Sequence, residues 1–259
     1  LSNSPRLFKP QVVTETEGTL LRIDLRELGW TVEDWQAIEK QYPYGLDVKS
    51  SARLVSLSAS TQTLIPIMRA DFMTAAIIKP GLYHLLLKLP KNISELETRM
   101  RVDAKRDINE LRVVRGGFLE GSSGVSAHNR MIERHDIPFG GYYWKSYDFN
   151  NSRRKANLQK FPHGPKDNAP LAEDLEPFEH AGGEMIFSLP NGLQGYYLSD
   201  AKGSRLDAAP TDIVSFGRRP GKSPTITNGG ACMDCHANGM IERRDQLRAA
   251  IEESTNFSS

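Results

Sequence analysis

The sequence is poor in cysteine: its 259 residues contain two. So few exclude the disulfide framework that holds small secreted domains together. They also leave no second cysteine pair for a structural zinc site. Excess charge is missing as well. With 33 Lys and Arg against 32 Asp and Glu the net charge is +1, which argues against nucleic acid or an anionic membrane as the main partner. No apolar run reaches the length of a bilayer span, and the stretches Leu20 to Leu25 and Leu85 to Leu89 are core-sized at most. The glycine- and serine-rich stretch from Gly116 to Ser126 lacks the lysine and spacing of a P-loop, is not G-x-S-x-G in frame, and has no Ser/His/Asp order around it. Met131-Ile132-Glu133-Arg134 recurs as Met240-Ile241-Glu242-Arg243, but a match of this length in such a chain is within chance. What remains is 39% hydrophobic and 25% charged, enough to bury a core as one large domain or two small ones.

Both cysteines fall in one place, Cys232-Met233-Asp234-Cys235-His236. C-x-x-C-H has the spacing of a covalent haem attachment signal. Two thiols three positions apart can each form a thioether to one haem vinyl group, and the histidine that follows presents an imidazole to the iron. On these residues the chain resembles the c-type cytochromes. The resemblance implies one haem c bound through Cys232 and Cys235, His236 as an axial iron ligand, a redox partner protein, and an extracytoplasmic (periplasmic or extracellular) location reached by export. The other readings of the pair are a redox dithiol, which belongs in a βαβ setting not found here, and a zinc site, which needs further ligands. The chain begins at Leu1 and is read as a mature product or a segment of something larger.

The fold class expected is α+β, with a mainly helical part over residues 1–112 and a β-rich haem-binding part over 113–259, forming one continuous unit. Thr31 caps a helix through Trp35 and Ile38, with Trp30 and Trp35 as core aromatics. Pro66 opens a helix that Lys79-Pro80-Gly81 ends, a short apolar helix follows over Leu82 to Leu89, and Asn92 or Ser94 begins another. Val113 to Leu119 begins the change in character. His128 to His135 is taken as a short helical stretch, and Gly141 to Phe149 reads as a strand. Residues 150–182, rich in proline, read as a surface connection or lid. Pro190-Asn191-Gly192 closes a hairpin between Glu184–Leu189 and Leu193–Leu198, Arg205 to Val214 adds a short strand, and Met240 to Glu253 forms an amphipathic terminal helix.

The motif lies late in the sequence, so the upstream chain is expected to build most of the pocket and to supply any second axial ligand. The candidates are His180 first, then His135, then Met185, followed by His84, His128, His163, Met68, Met73 and Met131. Arg130 and Arg134 are the candidates to pair with haem propionates, because a guanidinium matches a carboxylate bidentately. Three roles compete: an electron-transfer cytochrome with both axial positions filled by protein; a haem enzyme, peroxidase-like or oxidising a small substrate, with an open site and His135 or Glu133 as acid/base; and a haem-based sensor or assembly domain of a larger protein.

Overall fold

The computed structural model describes residues 9–12, 14, 21–41, 52–61, 71, 73–151, 153–166, 176–215 and 223–253. The chain forms two compact units, Leu1–Lys88 and Leu89–Ser259. This boundary lies upstream of the 112/113 division suggested by composition, because the two helices after Leu89 pack with the sheet that follows them.

The first unit holds a two-stranded ribbon, β1 (Gln11–Val12) and β2 (Leu21–Arg22), with helices α1 (Val32–Gln41), α2 (Ala52–Thr61) and α3 (Pro80–Leu86). Thr31 caps α1 in both directions: its Oγ1 accepts from the Asp34 amide at 3.2 Å, and its own amide donates to the Asp34 carboxylate at 2.8 Å. Trp30, Ile38, Ala76, Ile77, Leu82 and Leu86 form the core, with Trp35 partly buried against it. Pro80 opens α3 rather than only ending a preceding helix, as a residue without an amide hydrogen can at a first helical position. Pro66 lies outside the described residues.

The second unit carries helices α4 (Ile93–Met100) and α5 (Ala104–Asn109), then a six-stranded antiparallel meander in the order β3-β4-β5-β6-β7-β8. The strands are Val114–Phe118, Arg130–Asp136, Tyr142–Asp148, Gly182–Ser188, Gln194–Asp200 and Arg205–Leu206. Two short helices follow, α6 (Gly230–Cys235) and α7 (Leu247–Glu252). The Asn191-Gly192 turn joins β6 to β7 as its sequence demands, with Gly192 at φ 80°.

Three elements differ from the sequence reading. His128 to His135 is not helical. Arg130–Asp136 is strand β4, paired on both edges, with Met131, Glu133 and His135 buried on one face. Two of these three inward side chains are ionisable, so the strand carries no apolar alternation to read. The strand after Arg205 is two residues long. The terminal helix is confined to Leu247–Glu252, because the chain before it is engaged as a strap. Asp245 Oδ1 accepts from the Gly117 amide (2.8 Å), the Gln246 amide donates to the Gly117 carbonyl (2.9 Å), and Gln246 Oε1 accepts from the Leu119 amide (3.0 Å). This covers the open edge of β3.

Strand alternation sorts the sheet into two faces. One presents Met131, Glu133, His135, Tyr143, Lys145, Tyr147 and Phe187 toward α4, α5 and α7. Glu97 of α4 accepts from Lys145 Nζ (2.7 Å) and Tyr143 Oη (3.2 Å), and Leu247 of α7 joins Met131, Tyr147, Phe149 and Phe178 in a buried cluster. The other presents Arg130, Ile132, Trp144, Ser146, Glu184, Ile186, Tyr196 and Leu198, all lining one cavity. Gly183 marks where β5 and β6 press together: a Cβ there would stand 2.3 Å from the Ser146 carbonyl oxygen. Gly183→Ala is expected to lower the unfolding free energy by about 1–3 kcal/mol through forced displacement of the ladder. A denaturation midpoint equal to wild type would refute this.

Candidate cofactor site

The chain reaches the cavity through a tethered loop. The Ala209 amide donates to the Ile226 carbonyl (2.9 Å), and the Asn228 amide to the Asp207 carbonyl (2.8 Å). Gly229 then takes φ 92°, a left-handed value that glycine adopts without strain, and turns the chain into α6. Within this single short helix Cys232 and Cys235 are three positions apart and share a face. Both line the cavity, as does His236 at the helix end. They are not joined in a disulfide.

The His236 ring is oriented by its own chain. Nδ1 lies 3.1 Å from the Gly239 carbonyl oxygen. A carbonyl only accepts, so this contact places the proton on Nδ1 and leaves the lone pair on Nε2. Metal-binding histidines are held in this way by a backbone carbonyl behind the ring. The turn that supplies the carbonyl is closed by the Gly239 amide donating back to the His236 carbonyl (2.9 Å), with Gly239 at φ 92°. Across the cavity the Tyr196 ring lies 6.1 Å from the imidazole, centroid to centroid.

The cavity encloses about 910 Å³ between its walls, counting the part open to solvent. Its sheet wall is apolar at Ile132, Trp144, Ile186 and Leu198; the far side is built from Ile226, Ala231, Met240 and Ile241; Ser123 and Val125 of the β3–β4 loop complete the rim. Burial pushes the Cys232 thiol up to about 12, with the Glu184 charge adding to it. It is therefore protonated at neutral pH, the opposite of the depressed value that a reactive redox cysteine needs. Among the described residues no cluster of three or more His, Cys, Asp or Glu is arranged to hold a metal ion. Two thiols on one helix face, an Nε2 lone pair and a largely apolar wall are chemically compatible with a group held by two thioethers and one imidazole.

The remaining expected residues are distributed differently. Arg130 lines the cavity, but its guanidinium is already committed: Nε lies 2.8 Å from Asp148 Oδ1, and Nη2 bonds Glu184 and Ser146 Oγ. Arg134 is half-buried, pairs with Asp136 at 2.8 Å, lies over the Trp144 ring, and is not part of the cavity wall. The guanidinium at the cavity rim is instead that of Arg243, which donates to the Glu242 carbonyl at 3.3 Å.

His135 is not brought to the cavity. It sits on the opposite face of the sheet, with Nδ1 2.9 Å from Asp107 and Nε2 3.2 Å from Glu133. Burial pulls its pKa down, but the Glu133 and Asp107 contacts outweigh this and raise it. With both ring nitrogens donating to carboxylates, it has no lone pair to give a metal. His180 packs edge-on against Tyr147 and Phe178 and lines a separate cleft shared with His128. His163 lines another groove beside Arg115, Met131 is in the core, and His84 is buried in the first unit. Met185 contributes to the cavity wall, while alternation sends its side chain to the face of Lys145 and Tyr197. Met73 lies in a single wide turn in the first unit, and Met68 is outside the described residues.

Sequence reasoning passed over Trp144, Ser146, Asp148, Glu184, Tyr196, Met240 and Arg243. For the first four the signal is present as alternation along Tyr142–Asp148 and Gly182–Ser188. What assigns that alternation to a cavity is the register between strands, which sequence does not print.

Comparison with protein families, with curated proteins and with solved structures finds no match to this chain.

His180 gives a further expected result. Burial, with Lys145 second, lowers its pKa to about 4. The unfolded histidine titrates near 6.5, so as pH falls from there toward 4 the unfolded chain takes up a proton that the native state refuses. Stability therefore drops over that window, by roughly 3 kcal/mol at most, and levels off below it. Urea titrations between pH 7 and 4 should show His180→Phe with a shallower decline than wild type; equal slopes would mean that the native ring protonates freely.

Proposed function

We propose that this chain is a mono-haem c-type cytochrome of extracytoplasmic electron transfer, with haem attached through Cys232 and Cys235 and ligated by His236. One observation carries the reading: both thiols and the His236 ring, its Nδ1 tied to the Gly239 carbonyl, line a single largely apolar cavity. Haem supplies a one-electron couple when bound. The residues of the chain do the rest. α6 holds the two thiols on one face, Gly239 orients His236, the sheet wall excludes water through Ile132, Ile186 and Leu198, and Arg243 meets an anionic edge at the rim.

A second reading, a haem that binds or turns over a small ligand, is favoured by a specific feature of the wall. Ile132, Trp144, Ile186 and Leu198 offer no iron ligand, and His236 is the one histidine on the wall among the described residues.

The visible spectrum of natively exported protein tests both. Haem bands with a low-spin pattern unmoved by cyanide or carbon monoxide support electron transfer with a protein sixth ligand, for which Met240 is the thioether on the far side of the cavity. A high-spin pattern that shifts on ligand addition supports the second reading. Exported protein without haem bands would end both and return Cys232 and Cys235 to thiol chemistry.

A further inference from the structure

One group of side chains on the cavity wall is ionised and buried, and the functions above do not use it. Arg130 projects from β4, Ser146 and Asp148 from β5, and Glu184 from β6. Their side chains form a continuous set. Arg130 Nη2 donates to Glu184 and to Ser146 Oγ (3.0 Å), Ser146 Oγ donates to Asp148 Oδ2 (2.8 Å), and the Glu184 amide donates to Ser146 Oγ (2.9 Å). Arg130 Nε and Asp148 Oδ1 stand 2.8 Å apart, yet neither has a hydrogen bond of good geometry. The guanidinium and the Asp148 carboxylate are almost wholly buried, at 9% and 2% side-chain exposure, and Glu184 retains 17%. Arg130, Ser146 and Glu184 open directly onto the cavity, with Asp148 behind them.

The charge count is the point. Two carboxylates share one guanidinium, so the fully ionised group holds a buried excess negative charge. Other charged groups do not cancel it. Lys145, next along β5, is held on the opposite face by Glu97, and Asp200 of β7 is occupied by the Lys202 and Ser204 amides. Cys232 across the cavity is a neutral thiol, Cys235 lies beside it, and His180 before β6 is neutral above pH 4. Arg243 is exposed at the rim. Burial raises Asp148 to about 6, opposed by Arg130 and assisted by Glu184, so the group already stands close to binding a proton at neutral pH.

We propose that Arg130, Ser146, Asp148 and Glu184 form a proton-holding site that takes up one proton when a haem in the adjoining cavity is reduced. This rests on the haem reading above. A haem held by Cys232, Cys235 and His236 would take one electron from a protein redox partner and so add one negative charge in a low-dielectric space beside the cluster. A proton from solvent enters past Glu184, the most exposed member, and resides on Asp148, so that the cluster becomes neutral as the cavity gains a negative charge. On reoxidation the electron leaves to an acceptor and the proton returns to solvent. The ligand of this site is a proton, and its effect is to tie the driving force for electron transfer to pH.

The test is the reduction potential of the holoprotein between pH 5 and 8, together with the reduced-minus-oxidised infrared difference spectrum. The expected result is a segment in which the redox equilibrium changes tenfold per pH unit, about 59 mV per unit for one electron. It should coincide with growth of a protonated carboxyl band on reduction. Asp148→Asn should remove the band and flatten the segment. Glu184→Gln, which keeps the shape of its side chain, should flatten it should Asp148→Asn fail to fold. A potential independent of pH in wild type, or an unchanged slope in the variants, overturns the proposal while leaving the haem reading intact. Absence of attached haem overturns both, which separates the two failures.

Discussion

Changing Cys232 and Cys235 together to alanine is expected to abolish all haem that survives denaturation. Covalent haem c remains with the polypeptide on a denaturing gel and gives haem peroxidase staining there; haem held only by ligation and packing is lost. The two thiols lie on one face of α6 and both open onto the cavity, so either single change removes one thioether and the double change removes both. His236→Ala separates attachment from ligation. It leaves both thiols in place but takes away the ring that Gly239 orients, so any haem that remains attached should show a changed spin state and bind exogenous imidazole. The assay needs the chain exported in a host that matures cytochromes c. Staining undiminished in the double variant would refute attachment at this motif.

The second large effect is expected on stability, from the other side of the sheet. Glu133 is 0% exposed and accepts from Tyr147 Oη (2.7 Å), Arg115 Nε (3.0 Å) and His135 Nε2 (3.2 Å). Burial alone would raise its pKa, but the His135 hydrogen bond and the charges of Arg115, Lys145 and His135 hold it below the usual carboxylate range. Glu133→Ala strands the half-buried Arg115 and the buried His135 and Tyr147 donors at once. Breaking such a buried charged network by removing one member costs about 3–5 kcal/mol. Glu133→Gln, which still accepts from Tyr147 but carries no charge, should fall between wild type and alanine.

The pH dependence has a sign on each side. A carboxylate with a lowered native pKa contributes stability that is complete above the unfolded value near 4.3 and is lost as pH falls through the native one. His135, whose native pKa is raised, contributes stability present below about 6.5 and lost as pH rises through its native value. The gap between wild type and Glu133→Ala should therefore be widest in mildly acid solution, narrow on the alkaline side as His135 deprotonates, and close in strong acid. Urea unfolding at several pH values measures it. A gap under about 1 kcal/mol throughout would mean that water already replaces Glu133.

How much of this was legible depends on the residue. Local chemistry shows directly in sequence: Thr31 with Asp34 caps α1, Asn92 caps α4 by accepting from the Glu95 amide, and Asn191-Gly192 closes the β6–β7 hairpin. Each needs only neighbours within a few residues. β4 was illegible for the same reason in reverse. Its inward side chains Glu133 and His135 are ionisable and are buried only because Arg115, Lys145, Tyr147 and Asp107, from three other elements, neutralise them. Expecting His135 and Arg130 to serve a cofactor had the same weakness. Their chemistry fits the role, but the partners that occupy them come from distant segments.

By itself the sequence determined the α+β order, the local end caps and turns, and a five-residue motif whose two thiols, three positions apart, share one helix face. Only the tertiary structure decided which sheet face the motif covers. It put Trp144, Ser146, Glu184 and Tyr196 across from His236, and sent His135 and His180 elsewhere. The physical reason is that alternation gives each strand two faces, while strand register and the strap at Asp245 and Gln246 choose which face each segment covers. That choice rests on hydrogen bonds between residues more than a hundred positions apart, such as Asp245 with Gly117.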